Sequence, residues 1–349
     1  MPDELAPVLV LDVTEEEADK LLATLDPLAG MAETDVVRLR ELLATVQSDN
    51  DAVQELLRRI AEERLPEIAQ PHELDEAEVS LERAEELREK WGTERGQLWQ
   101  TALHRVFCGD STSERDVGRL WRGSGGRVRV VVADSPYGIN YVETKNRALQ
   151  HLHKGTRVKT DITNDSLSPA QTHELFRAAL ALAIRWALRG AACYATVPAG
   201  PLLIGFIQAF IAAGFSFKHH LVWVKQHMVL GRSDYHYRHE PILYGWLENG
   251  PHYFTKDRTQ STVFEVNKPA SSIFHPTQKP LELIAPMIAN SSRPGELVYD
   301  PFCGSGSTIL AAHQLGRVGY GVEIKPGYVA VALERLSLLG LKPELVKVT

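Results

Sequence analysis

The chain has 349 residues, of which 44% are hydrophobic and 24% charged, and its formal net charge is −7. This is the composition of an ordinary globular protein, and the length allows one large domain with an appendage or two domains. No run of about 18 uncharged apolar residues occurs, which excludes a transmembrane helix.

Targeting and redox features point to the cytoplasm. The start, "MPDELAPVLVLDV", lacks the basic segment of a signal peptide. Three widely spaced cysteines predict a reducing compartment, and neither they nor the histidines have the spacing of a metal site. We therefore expect a cytoplasmic protein that contacts no membrane and holds no metal.

The first 95 residues differ from the rest in charge and in pattern. They contain 26 Asp and Glu against 10 Lys and Arg, whereas residues 96–349 contain 19 acidic and 28 basic residues. "TEEEADKLLATL" begins with the form of a capping box, and "EAEVSLERAEELREKWG" predicts an exposed helix ending at Gly92. We predict an acidic helical region and linker over 1–95 and a basic catalytic domain over 96–349, since a basic body can contact phosphates.

From about residue 97, short β-rich runs alternate with helical stretches. The predicted strands are "HRVFCGD", "RVRVVVAD", "GAACYATV", "KHHLVWVK", "PILYGW", "ELVYDPF" and "RVGYGVEI". Between them, "SPAQTHELFRAALALAIRWALRG", "PAGPLLIGFIQAFIAAG", "KPLELIAPMIANSS" and "STILAAHQLG" have helical character. This alternation predicts an α/β fold, with a mainly parallel sheet covered by helices on both faces.

Four acids lie at or just after the ends of predicted strands: Asp110, Asp134, Asp300 and Glu323. Ligands of open α/β sheets bind at the carboxyl ends of the strands. The first signal of function is therefore a row of carboxylates where a ligand is expected.

The most specific local pattern is "ELVYDPFCGSGSTILAAHQLGRVGYGVEI". A strand ends at Asp300, a turn contains Gly304 and Gly306, and the strand after the next helix ends in Glu323, which can bind both ribose hydroxyls. A dinucleotide site requires a third glycine where Ile309 stands, and Asp300 would repel a pyrophosphate. The pattern favours the cationic S-adenosylmethionine over NAD.

Several motifs in the same order resemble the DNA amino-methyltransferases. "DPFCGSGST" resembles their cofactor motif, "DSPYG" their catalytic D-P-P-Y, "HPTQKP" the segment before the cofactor turn, and "CGDST" an early strand-end acid. The catalytic motif precedes the cofactor motif, as in the β group of that family. The resemblance covers roughly 97–340 and implies a Rossmann-like, S-adenosylmethionine-dependent methyltransferase with a small N-terminal helical region. Residues 1–95 are also similar to the helical piece of ParB-like nuclease–methylase fusions.

The resemblance assigns roles residue by residue. Asp300, Phe302, Gly304 and Gly306 are expected around the methionine part of the cofactor, Glu323 at the ribose and Asp110 near the adenine. Thr277 and Lys279 are expected to approach the methionine carboxylate.

The catalytic candidates are Asp134, Ser135, Pro136 and Tyr137. An exocyclic amine is a weak nucleophile, and an ionised carboxylate that accepts its hydrogen bond returns electron density to the nitrogen. Asp134 is the candidate acceptor, helped by a backbone carbonyl of the corner that Pro136 stiffens. Tyr137 offers a π-face to a base that has swung out of the helix.

Ser135 departs from the D-P-P-Y pattern and leaves two readings open. With Asp134 in the first position the motif is D-S-P-Y, which favours the N6 amino group of adenine in DNA. With Ser135 first, one proline of the cytosine-N4 pattern is missing. A non-DNA substrate and an inactive DNA-binding protein are the remaining alternatives. Cytosine-C5 methylation is excluded because no Pro-Cys pair occurs.

The implied substrate is double-stranded DNA. A homodimer and a separate nuclease or ParB-like partner are open expectations. "VWVKQHMVLGRSDYHYRHEPILYG" interleaves basic and aromatic residues, as contacts to phosphates and unstacked bases require.

Overall fold

The computed structural model describes residues 81–137, 167–226, 234–266 and 279–346. Helices α1 to α7 are Leu81–Trp91, Glu114–Trp121, Pro169–Ile184, Leu202–Ala213, Leu281–Ser291, Ser307–Gln314 and Pro326–Leu338. Strands β1 to β10 are Leu98–Thr101, His104–Cys108, Val128–Asp134, Ala187–Thr196, Ser216–Val224, His239–Trp246, Val263–Glu265, Leu297–Asp300, Val318–Glu323 and Glu344–Val346. Every strand predicted from the sequence corresponds to a strand of the structure.

All of these strands join one sheet in the order β10-β1-β2-β9-β8-β3-β4-β6-β5-β7. The central strands β2, β9, β8, β3 and β4 are parallel to one another. The flanks are mixed, because β6 runs antiparallel to both β4 and β5, and β1 runs antiparallel to both β2 and β10. The predicted parallel arrangement is therefore confirmed for the centre of the sheet.

Helices cover both faces of the sheet, as β3 shows. Val131 and Ala133 point into a core shared with α2, α3 and α4, whereas Val130 and Val132 point into a core shared with α5 and α6. A strand buried on both faces is a nearly continuous apolar run, as "VRVVVAD" is. Its last residue, Asp134, lies at the edge of the sheet, where both cores end. The predicted Rossmann-like α/β fold is confirmed.

The helix predicted over 168–190 is too long. It begins as expected, because Ser168 forms a capping box with Gln171 and proline occupies the first helical position. It ends at Ile184, and the chain from Ala187 onward pairs with β3, where Val128 N donates to the carbonyl oxygen of Trp186. Sheet pairing overrides the helical character of "WALRG".

Helix α1 ends before Gly92, whose φ of +64° is the left-handed conformation typical of a residue after a helix. It is not exposed on all sides, since Ala84 and Leu87 are buried against Ala330 and Val331 of α7. Residues 1–80 lie outside the described residues, so the division at 95/96 stays a prediction. Within the described ranges, no helix combines the length and apolarity needed to cross a bilayer.

The packing of α1 predicts that it stabilises the catalytic fold. Leu87 is 2% exposed, so Leu87→Ala should lower the free energy of unfolding by about 2–5 kcal/mol through lost burial and a residual cavity. Urea denaturation measures this loss. Glu89→Ala on the exposed side of the same helix is the matched control, and equal stability of the two variants would show that α1 contributes nothing to the fold.

Candidate active site

The carboxyl ends of the five central strands form one rim of the sheet, and this rim carries the predicted acids. Glu323 ends β9 beside Cys108 of β2, Asp300 ends β8 beside Gly321, and Asp134 ends β3 beside Thr196 of β4. Asp110 follows β2 by two residues. Strand order therefore aligns them along the rim as Asp110, Glu323, Asp300 and Asp134.

The turn after β8 is organised by Asp300. Its Oδ1 accepts from the backbone N of Phe302 at 2.8 Å, and its Oδ2 accepts from Thr308 Oγ1 at 2.5 Å. Gly306 has a φ of +85°, and a Cβ there would lie 2.8 Å from Cβ of Ala332. A glycine is required at 306 both by its conformation and by the helix packed against it.

Asp300 is 4% exposed and sits among other acids. Burial raises the pKa of Asp300 to about 7, and the nearby carboxylates of Asp134 and Glu323 add to the rise. The hydrogen bonds from Thr308 and Phe302 oppose it, because they favour the charged form. A cationic group bound at this rim would reverse that shift. The turn therefore fits the amino or sulfonium group of a cationic ligand.

The raised pKa predicts how stability depends on pH. In the unfolded chain the carboxyl ionises near 3.8, and in the fold near 7, so its contribution is complete below pH 4 and is lost as pH rises through 7. Asp300→Asn imitates the neutral form, so its gain in stability over the wild type should be larger at pH 8 than at pH 5, by about 1–3 kcal/mol, because the wild type loses the rest of this contribution between the two pH values. Urea denaturation of the ligand-free protein at both pH values measures the difference. The exposed Asp257→Asn should show no such gain, and a gain independent of pH at Asp300 would contradict the assignment.

Glu323 and Asp110 are held by backbone and hydroxyl donors. Glu323 Oε2 accepts from Gly304 N at 3.0 Å and its Oε1 from Lys325 N at 2.8 Å. Burial raises the pKa of Glu323, although these backbone donors oppose the rise. Asp110 Oδ1 accepts from both N and Oγ1 of Thr112 at 2.8 and 2.7 Å. Both acids are fixed in direction before any ligand binds.

Asp134 is the most densely hydrogen-bonded acid of the rim. Its Oδ1 accepts from Thr196 Oγ1 at 2.5 Å, from Lys279 Nζ at 2.8 Å and from the Tyr137 hydroxyl at 3.3 Å. Its Oδ2 accepts only from Lys279, at 2.8 Å, among the partners that the structure describes. The side chain is 30% exposed, and a carboxylate oxygen with one described donor can accept a further hydrogen bond.

Lys279 lies between two carboxylates rather than in open solvent. Nζ is 2.8 Å from Asp134 and 3.3 Å from Glu240 Oε2, and the side chain is 7% exposed. Glu240 also pairs with Lys225, and its Oε2 lies 3.2 Å from the Tyr137 hydroxyl, whose single proton is shared between Glu240 and Asp134. Lys279 was expected at the methionine carboxylate; the structure gives it the catalytic candidate as its partner, and its role toward the cofactor stays a prediction.

The electrostatics of this cluster follow from its alternating charges. Burial alone would lower the pKa of Lys279, but Asp134 and Glu240 outweigh it and hold the pKa well above its usual value. Burial would raise the pKa of Glu240, but Lys279 and Lys225 outweigh it and lower the pKa to about 2. Burial and the Glu240 carboxylate raise the pKa of Tyr137. Both ion-pair partners are charged, and the phenol is neutral, at neutral pH.

The remaining predicted site residues differ in burial, and one of them lies outside the described residues. Ser135 is 3% exposed, and its hydroxyl has no hydrogen-bond partner among the described residues. Pro136 and Phe302 are half-buried. Thr277 lies outside the described residues, as do most of "HPTQKP" and the residues 138–166 that follow "DSPY".

Two site residues escaped sequence reasoning. Thr196 ends a predicted strand but carries no charge. Glu240 is the second residue of β6, and only the antiparallel direction of β6 beside β4 brings the start of this strand to the same rim. The signal that could have found Thr196 was its position at a strand end beside Asp134; for Glu240, strand direction would have been needed.

Comparison with known proteins decides the family. The sequence profile described as DNA methylase, of the N6 and N4 methyltransferases, matches residues 128–334, more than half of the chain. The chain belongs to the N6/N4 DNA methylase family. Its methyl donor is therefore S-adenosylmethionine, as predicted, and its substrate is DNA.

Individual relatives agree with this membership. The chain is 27% identical over 268 residues to the type II methyltransferase M.BglII of Bacillus subtilis, covering 67% of this chain and 69% of the relative. It is 28% identical over 214 residues to the putative methylase YubD of Escherichia coli K12, covering 61% and 83%. The fold is similar to that of the cytosine-N4-specific PvuII DNA methyltransferase, with a TM-score of 0.50 and 15% identity over 68% of this chain and 89% of that one.

Within this DNA methylase, the residues that could hold S-adenosylmethionine fit its chemistry. The cofactor supplies a methyl group bound to a positively charged sulfur. Asp300, buried without a cation beside it among the described contacts, matches the ligand's positive charge. Glu323 and Asp110 present fixed acceptor oxygens on the same rim. Glu323 ends the strand two positions from that of Asp134, and Asp110 follows the strand three positions away. The residues expected at the methyl donor and the catalytic candidate Asp134 thus lie along one edge of the sheet.

Proposed function

We propose that this DNA methylase transfers the methyl group of S-adenosylmethionine to the N6 amino group of adenine in double-stranded DNA. Asp134 accepts a hydrogen bond from that amino group and so makes its nitrogen a better nucleophile. Direct displacement at the sulfonium carbon then depends on alignment of nitrogen, methyl and sulfur. As the bond from nitrogen to the methyl carbon forms, the bond from that carbon to sulfur breaks and leaves a neutral thioether. The methylated amino group then passes its surplus proton to the Asp134 carboxylate, which releases it to water.

One observation carries the proposal: Asp134 offers a partly exposed carboxylate with acceptor capacity to spare, whereas the hydroxyl of its neighbour Ser135 is buried. Oδ2 of Asp134 accepts from Lys279 alone among the described residues, on a side chain that is 30% exposed. The Ser135 hydroxyl is buried. This supports the alignment in which Asp134 has the first position of D-S-P-Y, and with it adenine.

Cytosine N4 is the second candidate because Ser135 and Pro136 match the beginning of the cytosine pattern. In that alignment the serine hydroxyl would accept the hydrogen bond from the amine. Its burial counts against this, since the hydroxyl would first have to reach the surface of the rim.

An aromatic and basic segment beside the rim supports a DNA substrate whose base leaves the helix. Tyr235 and Tyr237 are 88% and 42% exposed, next to Arg238, and Tyr237 approaches Gly200 beyond the end of β4. Exposed rings can stack on unpaired bases, and cations contact phosphates. The homodimer, a nuclease partner and the ParB-like fusion stay predictions.

The test is the identity of the modified nucleoside. Unmethylated genomic DNA is incubated with the protein and S-adenosylmethionine labelled in the methyl group, digested to nucleosides and analysed by mass spectrometry. We expect labelled N6-methyladenine. Labelled N4-methylcytosine would overturn adenine in favour of the second candidate, and label in neither base would overturn both.

A further inference from the structure

The cluster around Asp134 extends in a line of alternating charges to the far side of β6. Lys225 pairs with Glu240, Glu240 pairs with Lys279, and Lys279 contacts both oxygens of Asp134. Asp134 ends β3, Glu240 lies in β6, Lys225 follows β5 directly and Lys279 precedes α5 by two residues. Segments far apart in sequence thus converge on one carboxylate.

Burial makes this line sensitive to each member. The side chains of Lys279, Glu240 and Lys225 are 7, 17 and 20% exposed, so water replaces a lost partner poorly. Removing one member of a buried ion pair leaves an uncompensated charge and costs more than the pair contributes. Loss of Lys279 would leave the carboxylates of Asp134 and Glu240 facing each other with only the Tyr137 hydroxyl between them.

We infer that Glu240 is a positioning residue for methyl transfer, acting through Lys279. Glu240 holds the Lys279 ammonium where that ammonium contacts both oxygens of Asp134, and Lys225 in turn fixes the position of Glu240. The groups facing Asp134 are Thr196, Tyr137, Lys279 and, along the rim, Asp300. The inference rests on the proposed role of Asp134 as acceptor and gives a role to Glu240 and Lys225, to which the sequence motifs assign none.

Charge alternation predicts that one substitution partly corrects another. Lys279→Gln should lower the rate by about 10²-fold, because it removes the cation that favours the charged acceptor. Glu240→Gln alone should cost about tenfold, through looser placement of Lys279. The double variant should recover about tenfold over Lys279→Gln, because the facing negative charge has gone with the cation.

The measurement is the initial rate of labelled methyl transfer to DNA at saturating cofactor, from pH 5.5 to 9. The acidic limb of the pH–rate profile should move to higher pH in Lys279→Gln, and it should move back to lower pH when Glu240→Gln is added. Lys279→Arg, which keeps the charge, should keep the wild-type profile. The exposed pair Lys218–Glu248 supplies matched controls, since Lys218→Gln and Glu248→Gln should leave both rate and profile unchanged.

A double variant that is slower than Lys279→Gln, with no return toward the wild-type pH profile, would overturn the inference. Two independent packing defects would each lower the rate, and neither would correct the other. Thermal unfolding of each variant identifies loss of fold, and Lys279→Arg tests the same point without removing the charge. The two proposals fail separately: the product nucleoside decides the base, and the comparison of single with double variants decides the role of Glu240.

Discussion

Replacing Asp134 by alanine should lower methyl transfer by more than about 10³-fold, at the upper range of what a positioned proton acceptor contributes. The alanine methyl accepts no hydrogen bond, so the target amine keeps its lone pair delocalised into the base. Binding of S-adenosylmethionine should change little, because the turn from Asp300 to Thr308 keeps its own contacts.

The neighbours of Asp134 indicate that the variant will fold. Lys279 retains Glu240, and Thr196 Oγ1 lies 3.4 Å from the backbone oxygen of Ala133, which can take over as acceptor. Asp134→Asn provides a graded comparison: its amide oxygen can accept from the amine, but without a charge, so its rate should fall between wild type and alanine.

Single-turnover methyl transfer with labelled cofactor measures the chemical step, and equilibrium dialysis measures cofactor affinity. A wild-type rate in Asp134→Ala would show that another group accepts from the amine. A loss of cofactor binding equal to the loss of rate would move Asp134 from catalysis to the cofactor pocket.

The strands of the central sheet could be predicted because each is a short apolar run bounded by turn residues. Strand direction could not, since β5 and β6 have the same local pattern whether they run parallel or antiparallel. β1, β7 and β10 were missed because four or three residues are too few to show a period. β8 also has only four residues, but all of them are buried and the glycine turn that follows marks its end.

The candidate site was predictable to the same extent. Asp134, Asp300 and Glu323 could be placed because strand ends are visible in sequence and carboxyl ends of parallel strands share an edge. Glu240 could not, because it reaches that edge from the start of an antiparallel strand. The two partners of Lys279 could not be predicted either, because Glu240 lies about 40 residues and Asp134 145 residues before it in the sequence.

The second large effect is expected at Glu323. Glu323→Ala should lower the affinity for S-adenosylmethionine by about 10²-fold or more, since two hydrogen bonds from ribose hydroxyls to a carboxylate are worth about 3 kcal/mol or more together. The rate at saturating cofactor should fall by less than about tenfold, because Asp134 and its donors lie on another strand.

Glu323→Gln distinguishes the two tasks of this side chain. The carboxylate now accepts from Gly304 N and Lys325 N with different oxygens, whereas a glutamine amide has one oxygen and would turn its NH₂ toward one of these N–H donors. We therefore expect even this isosteric change to weaken cofactor binding, and Gly304, in the turn, to lose its fixed position. Isothermal titration with S-adenosylhomocysteine measures the affinity, and Glu344→Ala on the exposed strand β10 is the control. Unchanged affinity in both Glu323 variants would contradict the prediction that Glu323 binds the ribose, because loss of either oxygen would then not affect the bound nucleoside.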